Sequence, residues 1–335
     1  MSVFPVGKLP PEILKKIISN APILDKRVVF GPNIGLDCAV IDNGDNFLVI
    51  KSDPITFVTH NPGWYAVQIN VNDIVTTGAT PKWMMATILL PENKTTKELV
   101  EEISTQLFSA CSEKDISFIG GHTEITYGID RPIISATMIG EVKKENLITT
   151  SGAQIGDHVL LTKGIGIEGT AIIANEFAHK LPGILSPKEI QLAKDYIFTP
   201  GISVYKDALL VNENKGVHAM HDVTEGGLSA ALWELAIASD KNIQFFPENV
   251  SVSDITNRIC EFFNINPINL ISSGALLIAV DSRSLKKITN NLYKNGIQCS
   301  RIGLIKSTGA NVWFESDNLE IKLEYPDRDE ITSLF

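Results

Sequence analysis

Carboxylates and glycines at the ends of apolar segments are the residues of this chain that could do chemistry. Gly120 and Gly121 follow the apolar run 116–119 and lead through His122 and Thr123 to Glu124. A glycine pair at a strand end lets a phosphate or metal approach the backbone, and a Glu just beyond it supplies an oxygen ligand. Three further acids, Asp37, Asp53 and Asp73, lie at the end of an apolar segment or within one. Mg²⁺ is commonly held by a few carboxylates together with substrate phosphates, so Asp37, Asp53, Asp73 and Glu124 form the set expected of a Mg²⁺-nucleotide site. Taken singly, each also reads as a solvated strand-end or turn acid.

A second group, Met220-His221-Asp222-Val223-Thr224-Glu225-Gly226-Gly227-Leu228, stands between a predicted strand and a predicted helix. Free N–H groups at a helix start attract anions, so Gly226 and Gly227 are expected to face a substrate phosphate and Asp222 a metal or polar substrate. The competing reading is a capping segment in which Thr224 or Asp222 satisfies the first turn. Gly164-Ile165-Gly166-Ile167-Glu168-Gly169 fits GxGxxG, but no strand ending in an acid follows about 20 residues later, which excludes the dinucleotide fingerprint. A phosphate-facing turn and simple tight packing both remain open there. The chain has no GxxxxGK[ST] loop, no GxSxG elbow and no kinase signature set, so an ATP site would need another architecture. His122 and His221 each have a nearby acid and stay unassigned.

Local patterns place these residues on elements. Ile13, Leu14, Ile17 and Ile18 share one helical face after Pro10 and Pro11, which predicts a short amphipathic helix. A loop with Gly31, Pro32, Asn33 and Gly35 follows, then strands over 37–41 and 47–51 joined by a turn at 42–45. A helix is predicted over 62–77, stopped by Gly78, with Asn72 and Asp73 in its second half. A strand over 83–90, a helix over 96–113 begun by a Thr95/Glu98 capping box, and strands over 116–119 and 133–142 complete an α+β unit. The apolar pattern pauses at 151–157, dividing residues 1–150 from 151–335. Strands over 158–162, 217–221, 276–280 and 301–305, alternating with helices over 170–177, 187–196 and 204–211, make the second part an α/β domain.

Composition bounds the possibilities. A chain of 335 residues with 44% hydrophobic content supports two cores of ordinary size. Residues 1–9 lack a basic start followed by an apolar core, and no window approaches the roughly 20 apolar residues that span a bilayer, so secretion and membrane insertion are not expected. Cys38, Cys111, Cys260 and Cys299 form no CxxC pair, which predicts neither a zinc site nor a disulfide framework and suits a reducing, cytoplasmic compartment. A net charge of −10 argues against a general nucleic-acid surface.

The ordered motifs Gly35-Leu36-Asp37-Cys38-Ala39-Val40, Ser52-Asp53, Asn72-Asp73-Ile74 with Gly78-Ala79-Thr80-Pro81, Gly120 to Glu124, and Asp222 to Gly227 resemble the superfamily of aminoimidazole ribonucleotide synthetase. Its members include the hydrogenase-maturation dehydratase, thiamine-monophosphate kinase, selenophosphate synthetase and formylglycinamidine ribonucleotide synthetase. The likeness spans nearly the whole chain. It implies an N-terminal α+β domain with a ferredoxin-like sheet that forms a barrel across a homodimer, followed by an α/β domain, with ATP and Mg²⁺ bound in the cleft between the domains. It also implies that Asp37, Asp53, Asp73 and Glu124 are metal and phosphate ligands. Asp37, Asp73 and Asp222 become candidate catalytic groups, and Gly35, Asp53, Asn72, Gly120, Gly121, Thr123, Gly226 and Gly227 candidate cofactor contacts.

The overall likeness is closest to the hydrogenase-maturation branch, in which ATP activates a carboxamide on the protein's own C-terminal cysteine for dehydration. This chain ends Ile331-Thr332-Ser333-Leu334-Phe335 without that cysteine, and Cys299 falls in a predicted helix-to-strand connection, so self-modification of a tail thiol is not expected. Selenophosphate synthesis is not expected either, because residues 1–30 carry no cysteine. The expected activity is ATP- and Mg²⁺-dependent phosphorylation of an amide-type or carboxylate oxygen of a small molecule or protein group. The alternatives are a small-molecule phosphate kinase and a non-catalytic nucleotide-binding dimer.

Overall fold

The computed structural model describes Phe4 and residues 6–335. Residues 1–3 and 5, on which part of the expectation of no secretory leader rests, lie outside the described residues. Two compact units are present: a smaller one of Ile23–Gly31 and Asp37–Leu147, and a larger one of Met1–Pro22, Pro32–Leu36 and Ile148–Phe335. A single cut near 150 thus differs from the observed division at the N-terminal end, where two short segments belong to the larger unit. Helix α1 (Pro11–Ile18) lies in the first of these.

The smaller unit contains β1 (Val28–Phe30), β2 (Ala39–Asn43), β3 (Asn46–Ile55), α2 (Pro62–Thr76), β4 (Thr80–Pro91), α3 (Lys97–Ser112), β5 (Ser117–Thr126) and β6 (Ile133–Lys143). Its sheet runs β1-β2-β3-β6-β4-β5, antiparallel except for the parallel β4–β5 pair. Alternate residues of β4, namely Met84, Ala86, Ile88 and Leu90, are buried, which sets the face carrying α2 and α3. Helix α2 buries every residue except Trp64, including the polar Gln68, Asn70, Asn72 and Asp73. Helix α3 is capped by Thr96, whose hydroxyl accepts the Leu99 N–H at 3.3 Å; Thr95 instead donates to the Pro91 carbonyl, so the expected cap is one residue too early.

Strand β5 corrects the reading of the glycine pair. Gly120 and Gly121 lie inside this edge strand and do not form a loop after it. Phe118 pairs with Met84 and Gly120 with Met85, leaving Ile119 as the extra residue of a bulge. Both glycines take the left-handed side of φ, at +149° and +147°, and a Cβ on Gly121 would stand 1.9 Å from the Ala86 carbonyl oxygen. The pair is required by strand geometry. Gly121→Ala is therefore expected to destabilise the smaller unit by about 2 kcal/mol in urea unfolding, limited by the freedom of an edge strand to shift. An unchanged midpoint would show that the bulge needs no glycine.

The larger unit adds β7 (His158–Thr162), α4 (Ile167–Glu176), α5 (Pro187–Lys194), α6 (Tyr205–Asn212), β8 (Val217–Asp222), α7 (Gly227–Ser239), β9 (Lys241–Phe245), α8 (Asp254–Phe263), β10 (Leu276–Val280), α9 (Leu285–Lys294), β11 (Cys299–Thr308), β12 (Val312–Ser316) and β13 (Leu319–Leu323). Its sheet runs β13-β12-β9-β11-β7-β10-β8. All pairs are antiparallel except β12 with β9, so both units carry mixed sheets. Val159, Leu161, Leu277, Ala279, Ile243 and Phe245 pack with Leu228, Leu232 and Leu235 of α7 in one core. Strand β10 is buried at every position, the mark of a central strand covered on both faces. Cys299 is the first residue of β11, correcting its placement in a connection. Among the described residues no helix is long and apolar enough to cross a membrane.

Candidate functional site

In the smaller unit two of the expected acids converge on a lysine that sequence reasoning missed. Asp53 lies on β3 and Asp73 in the second half of α2. Lys51 Nζ stands 3.1 Å from Asp73 Oδ1 and 3.5 Å from Asp53 Oδ2, with its side chain only 17% exposed. Burial alone would lower the pKa of this ammonium, but the carboxylates of Asp73, Asp53 and Asp37 outweigh it and hold the group well above the ordinary lysine value. Asn70 ties helix to strand, its Oδ1 accepting the Asp53 N–H at 3.2 Å and its Nδ2 donating to the Ala66 carbonyl at 2.9 Å. Cys38 donates its S–H to the Asp73 carbonyl at 3.3 Å, beside Asp37 at the entry to β2. Asn72 is fully buried in α2.

Register separates Glu124 from this group. Asp53, Ala136, Ala86 and Gly121 occupy one transverse row, on the face where Ala136 and Ala86 are buried beneath the helices. Thr123 shares another such row with Ile88, Ile134 and Ile55. Glu124 pairs with Leu89 and His122 with Thr87, so both point to the opposite face, as does Gly120 beside Met85. There His122 Nε2 and Glu124 Oε2 are 3.2 Å apart and exposed. Within one copy the four-acid set therefore splits, because neighbouring strand positions face opposite ways.

In the larger unit Asp222 ends β8 and is buried, paired with Leu276. His221 Nε2 meets Glu234 Oε2 of α7 at 2.9 Å. Lys8 Nζ lies 3.5 Å from Glu225 Oε2 and 3.9 Å from Glu234 Oε1. Gly35 is pressed against α7, where a Cβ would stand 2.7 Å from the Glu234 carbonyl oxygen.

The turn at Gly226 and Gly227 also departs from expectation. Both glycines have positive φ, at +80° and +61°, and turn the chain into α7. The Gly226 N–H donates to Asp329 Oδ2 at 2.6 Å and the Gly227 N–H to the Thr224 carbonyl at 3.0 Å. Their amides are thus satisfied internally, and α7 has no side-chain cap, neither from Asp222 nor from Thr224; Asp329 instead holds the N-cap residue Gly226. Burial pushes the Asp329 pKa up to about 6, although hydrogen bonds from the Ile331 and Gly226 amides oppose the shift. Glu168, in the first turn of α4, is pushed up to about 8 by burial, with Glu225 and Asp329 adding repulsion, and its Oε2 has no hydrogen-bond partner. In the GxGxxG segment a Cβ on Gly169 would stand 2.4 Å from Leu270 Cγ, which favours the packing reading.

Comparison with known proteins supplies the family. The model of the AIR synthase related protein N-terminal domain matches residues 35–142, and that of the C-terminal domain matches residues 154–313. The chain belongs to the AIR synthase related protein family. It is an AIR synthase-like enzyme with the two-domain α/β architecture of that family. It is similar to a selenide, water dikinase of Aeromonas hydrophila subsp. hydrophila, 31% identical over 92% of this chain and 94% of the relative. A putative hydrogenase expression/formation protein of Methanocaldococcus jannaschii is 28% identical over 84% of this chain and 82% of its own length. Among solved structures, hydrogenase maturation protein HypE in complex with ATP superposes with a TM-score of 0.72 at 20% identity, covering 95% of this chain and 91% of that one. At that identity the likeness is one of fold.

Against this AIR synthase-like frame, Lys51 and Asn70 are the residues that sequence reading passed over. Lys51 directly precedes Ser52-Asp53, and on a strand the side chain two positions before an acid points the same way. That signal was legible. The role of Asn70 depends on how α2 is set against β3.

Proposed function

We propose that this AIR synthase-like enzyme uses ATP and Mg²⁺ to phosphorylate an amide-type or carboxylate oxygen, making a leaving group for displacement or dehydration. The observation that carries this reading is the convergence of Asp53 and Asp73 on one cation, the Lys51 ammonium. A set of hard oxygen donors already organised around a positive charge suits Mg²⁺. Asp53 and Asp73, with Asp37, would hold the ion, which when bound supplies charge neutralisation for phosphate oxygens. Lys51 adds a fixed positive charge, and Asn70 orients the strand segment carrying Asp53. Phosphoryl transfer asks mainly for positioning and charge compensation, and these residues provide both.

The cysteines support chemistry on an external acceptor. Burial pushes the thiols of Cys260 and Cys299 up to about 12 and that of Cys111 up to about 11. Cys38 is engaged with the Asp73 carbonyl. Cys111, Cys260 and Cys299 thus offer no thiolate near neutral pH.

A homodimer is part of this reading, with the smaller unit's sheet joining its copy into a barrel. Strand β5 is an edge with exposed Ile119 and Ile125, and Met85 is exposed on β4 beside it; unpaired edges of this kind favour pairing with a second strand. Sedimentation equilibrium should give twice the chain mass, with Ile125→Arg shifting it toward the monomer. A monomer at all concentrations would remove the dimer from the proposal.

Calorimetric titration with a non-hydrolysable ATP analogue and Mg²⁺ tests the site. Asp37→Ala and Asp53→Ala are each expected to weaken binding at least about tenfold, or roughly 1.4 kcal/mol. Unchanged affinity in both would sink the assignment. Release of ADP with free phosphate is expected from the activation route, whereas ADP with a newly phosphorylated stable product would point to a small-molecule kinase.

A further inference from the structure

Strand β13 forms one edge of the larger unit's sheet and, among the described residues, pairs with β12 alone. Asp317 and Asn318, with φ of +51° and +63°, make the two-residue turn between these strands. A turn of this kind closes by a hydrogen bond between the residues that flank it, so Ser316 and Leu319 are a hydrogen-bonded pair. The ladder alternates, which makes Phe314 with Ile321 and Val312 with Leu323 bonded pairs as well. The N–H and C=O groups of Glu320 and Lys322 therefore point away from β12, to the open edge.

Leu319, Ile321 and Leu323 share the face on which Val312 and Phe314 meet the core of the unit. Leu323 packs on that core, while Ile321 is 40% and Leu319 66% exposed. The opposite face carries Glu320 and Lys322. Glu320 stands directly across from Glu315, a like-charge pair that costs stability. Lys322 Nζ lies 3.5 Å from Glu324 Oε2 at an exposed position.

Edge strands commonly carry charge that repels a copy of themselves. Here the charges of Glu320 and Lys322 are opposite in sign and flank Ile321, so the strand is complementary to itself. An antiparallel pair centred on Ile321 sets Glu320 against Lys322 of a second copy, and Lys322 against its Glu320. Those are the residues whose backbone groups face the open edge, so the same register completes their hydrogen bonding. Ile321 then faces its copy, and Leu319 faces Leu323, at the non-bonded positions where side chains come closest. Centring on Glu320 would oppose two glutamates, and centring on Lys322 two lysines. An axis between residues would set an open backbone group against one already bonded to β12.

We propose that β13 is a self-association edge, joining two copies of this chain into one continuous sheet through the antiparallel pair centred on Ile321. Strands this short bury less than the roughly 1,200 Å² of a standard interface, so the contact is weak and populated mainly at high protein concentration. It lies on the other sheet from β5, and its outcome is independent of the dimer and of the phosphoryl-transfer site proposed above.

Disulfide trapping on the full chain tests the register. Ile321→Cys places a thiol on the axis of the pair, about 4.5 Å from its copy between Cα atoms, within the span that a disulfide bridges. Leu319→Cys is the control: more exposed still, it lies opposite Leu323, roughly 13 Å from its own copy at about 3.3 Å per residue, and out of reach. Under mild oxidation Ile321→Cys should give at least about tenfold more cross-linked dimer than Leu319→Cys on non-reducing electrophoresis. The unsubstituted chain, whose cysteines are buried or half-buried, should give none. Adding Lys322→Glu to Ile321→Cys should cut the yield at least about fivefold, and adding Glu320→Lys as well should restore it, since the exchanged charges again oppose. Equal yields from the two engineered thiols would mean chance collision, and no cross-link would leave this edge to a strand of another protein; either result overturns the self-pairing. A charge exchange that does not restore the yield overturns the register.

Discussion

Lys51→Met is expected to destabilise the smaller unit by about 3 kcal/mol in metal-free buffer, the cost of removing one partner from a buried ion pair. Asp53 and Asp73 would then face each other, with Asp37 nearby, without the charge that now lies 3.1 and 3.5 Å from their oxygens. Methionine keeps most of the aliphatic volume, so the loss reports charge and not packing. Added Mg²⁺ should recover much of the loss, because the same carboxylates can accept a different cation. Unfolding of the unsubstituted chain and the variant, each with a chelator and with Mg²⁺, separates the outcomes. No loss in chelator would mean that the ammonium does not compensate the acids. A loss that Mg²⁺ leaves untouched would mean that the acids do not take a metal.

Glu168→Gln is expected to flatten the pH dependence of stability of the larger unit. The folded carboxyl keeps its proton up to about pH 8, whereas an unfolded chain releases it near 4.5. Between those values the folded state carries the extra proton, so stability is highest at the acid end and falls as pH rises, by up to about 1.4 kcal/mol per pH unit. Asp329 adds the same sign over a lower window, from 3.8 to about 6. Glutamine imitates the protonated form and removes the Glu168 contribution. By pH 8 the variant should exceed the unsubstituted chain by on the order of 4 kcal/mol, while near pH 4.5 the two should nearly coincide. Denaturant midpoints across this range measure the difference. Parallel curves would show that the carboxyl is already ionised in the folded state at neutral pH.

Legibility followed the range of the interactions. Helix α2 and strands β7 and β10 emerge at nearly the expected bounds because continuous or periodic apolar runs report burial directly. The hairpin of β2 and β3 was marked by Gly44, at φ +84°, and by the polar residues around it. Strand β5 was read too short, since its glycines look like a strand end until β4 is placed beside them. Strands β12 and β13, with many exposed positions and charged residues, gave no run to recognise.

For the candidate site, sequence alone determined the family and the acids worth considering, through motif order and residue type. Only tertiary structure decided which acids meet. Asp53 joins Asp73 because α2 lies across β3, and Glu124 does not because its register turns it to the other face. Asp329, more than a hundred residues from Gly226, takes the amide that the local motif seemed to reserve for phosphate. Such pairings depend on packing and register summed over the whole unit, and no local window of sequence contains them.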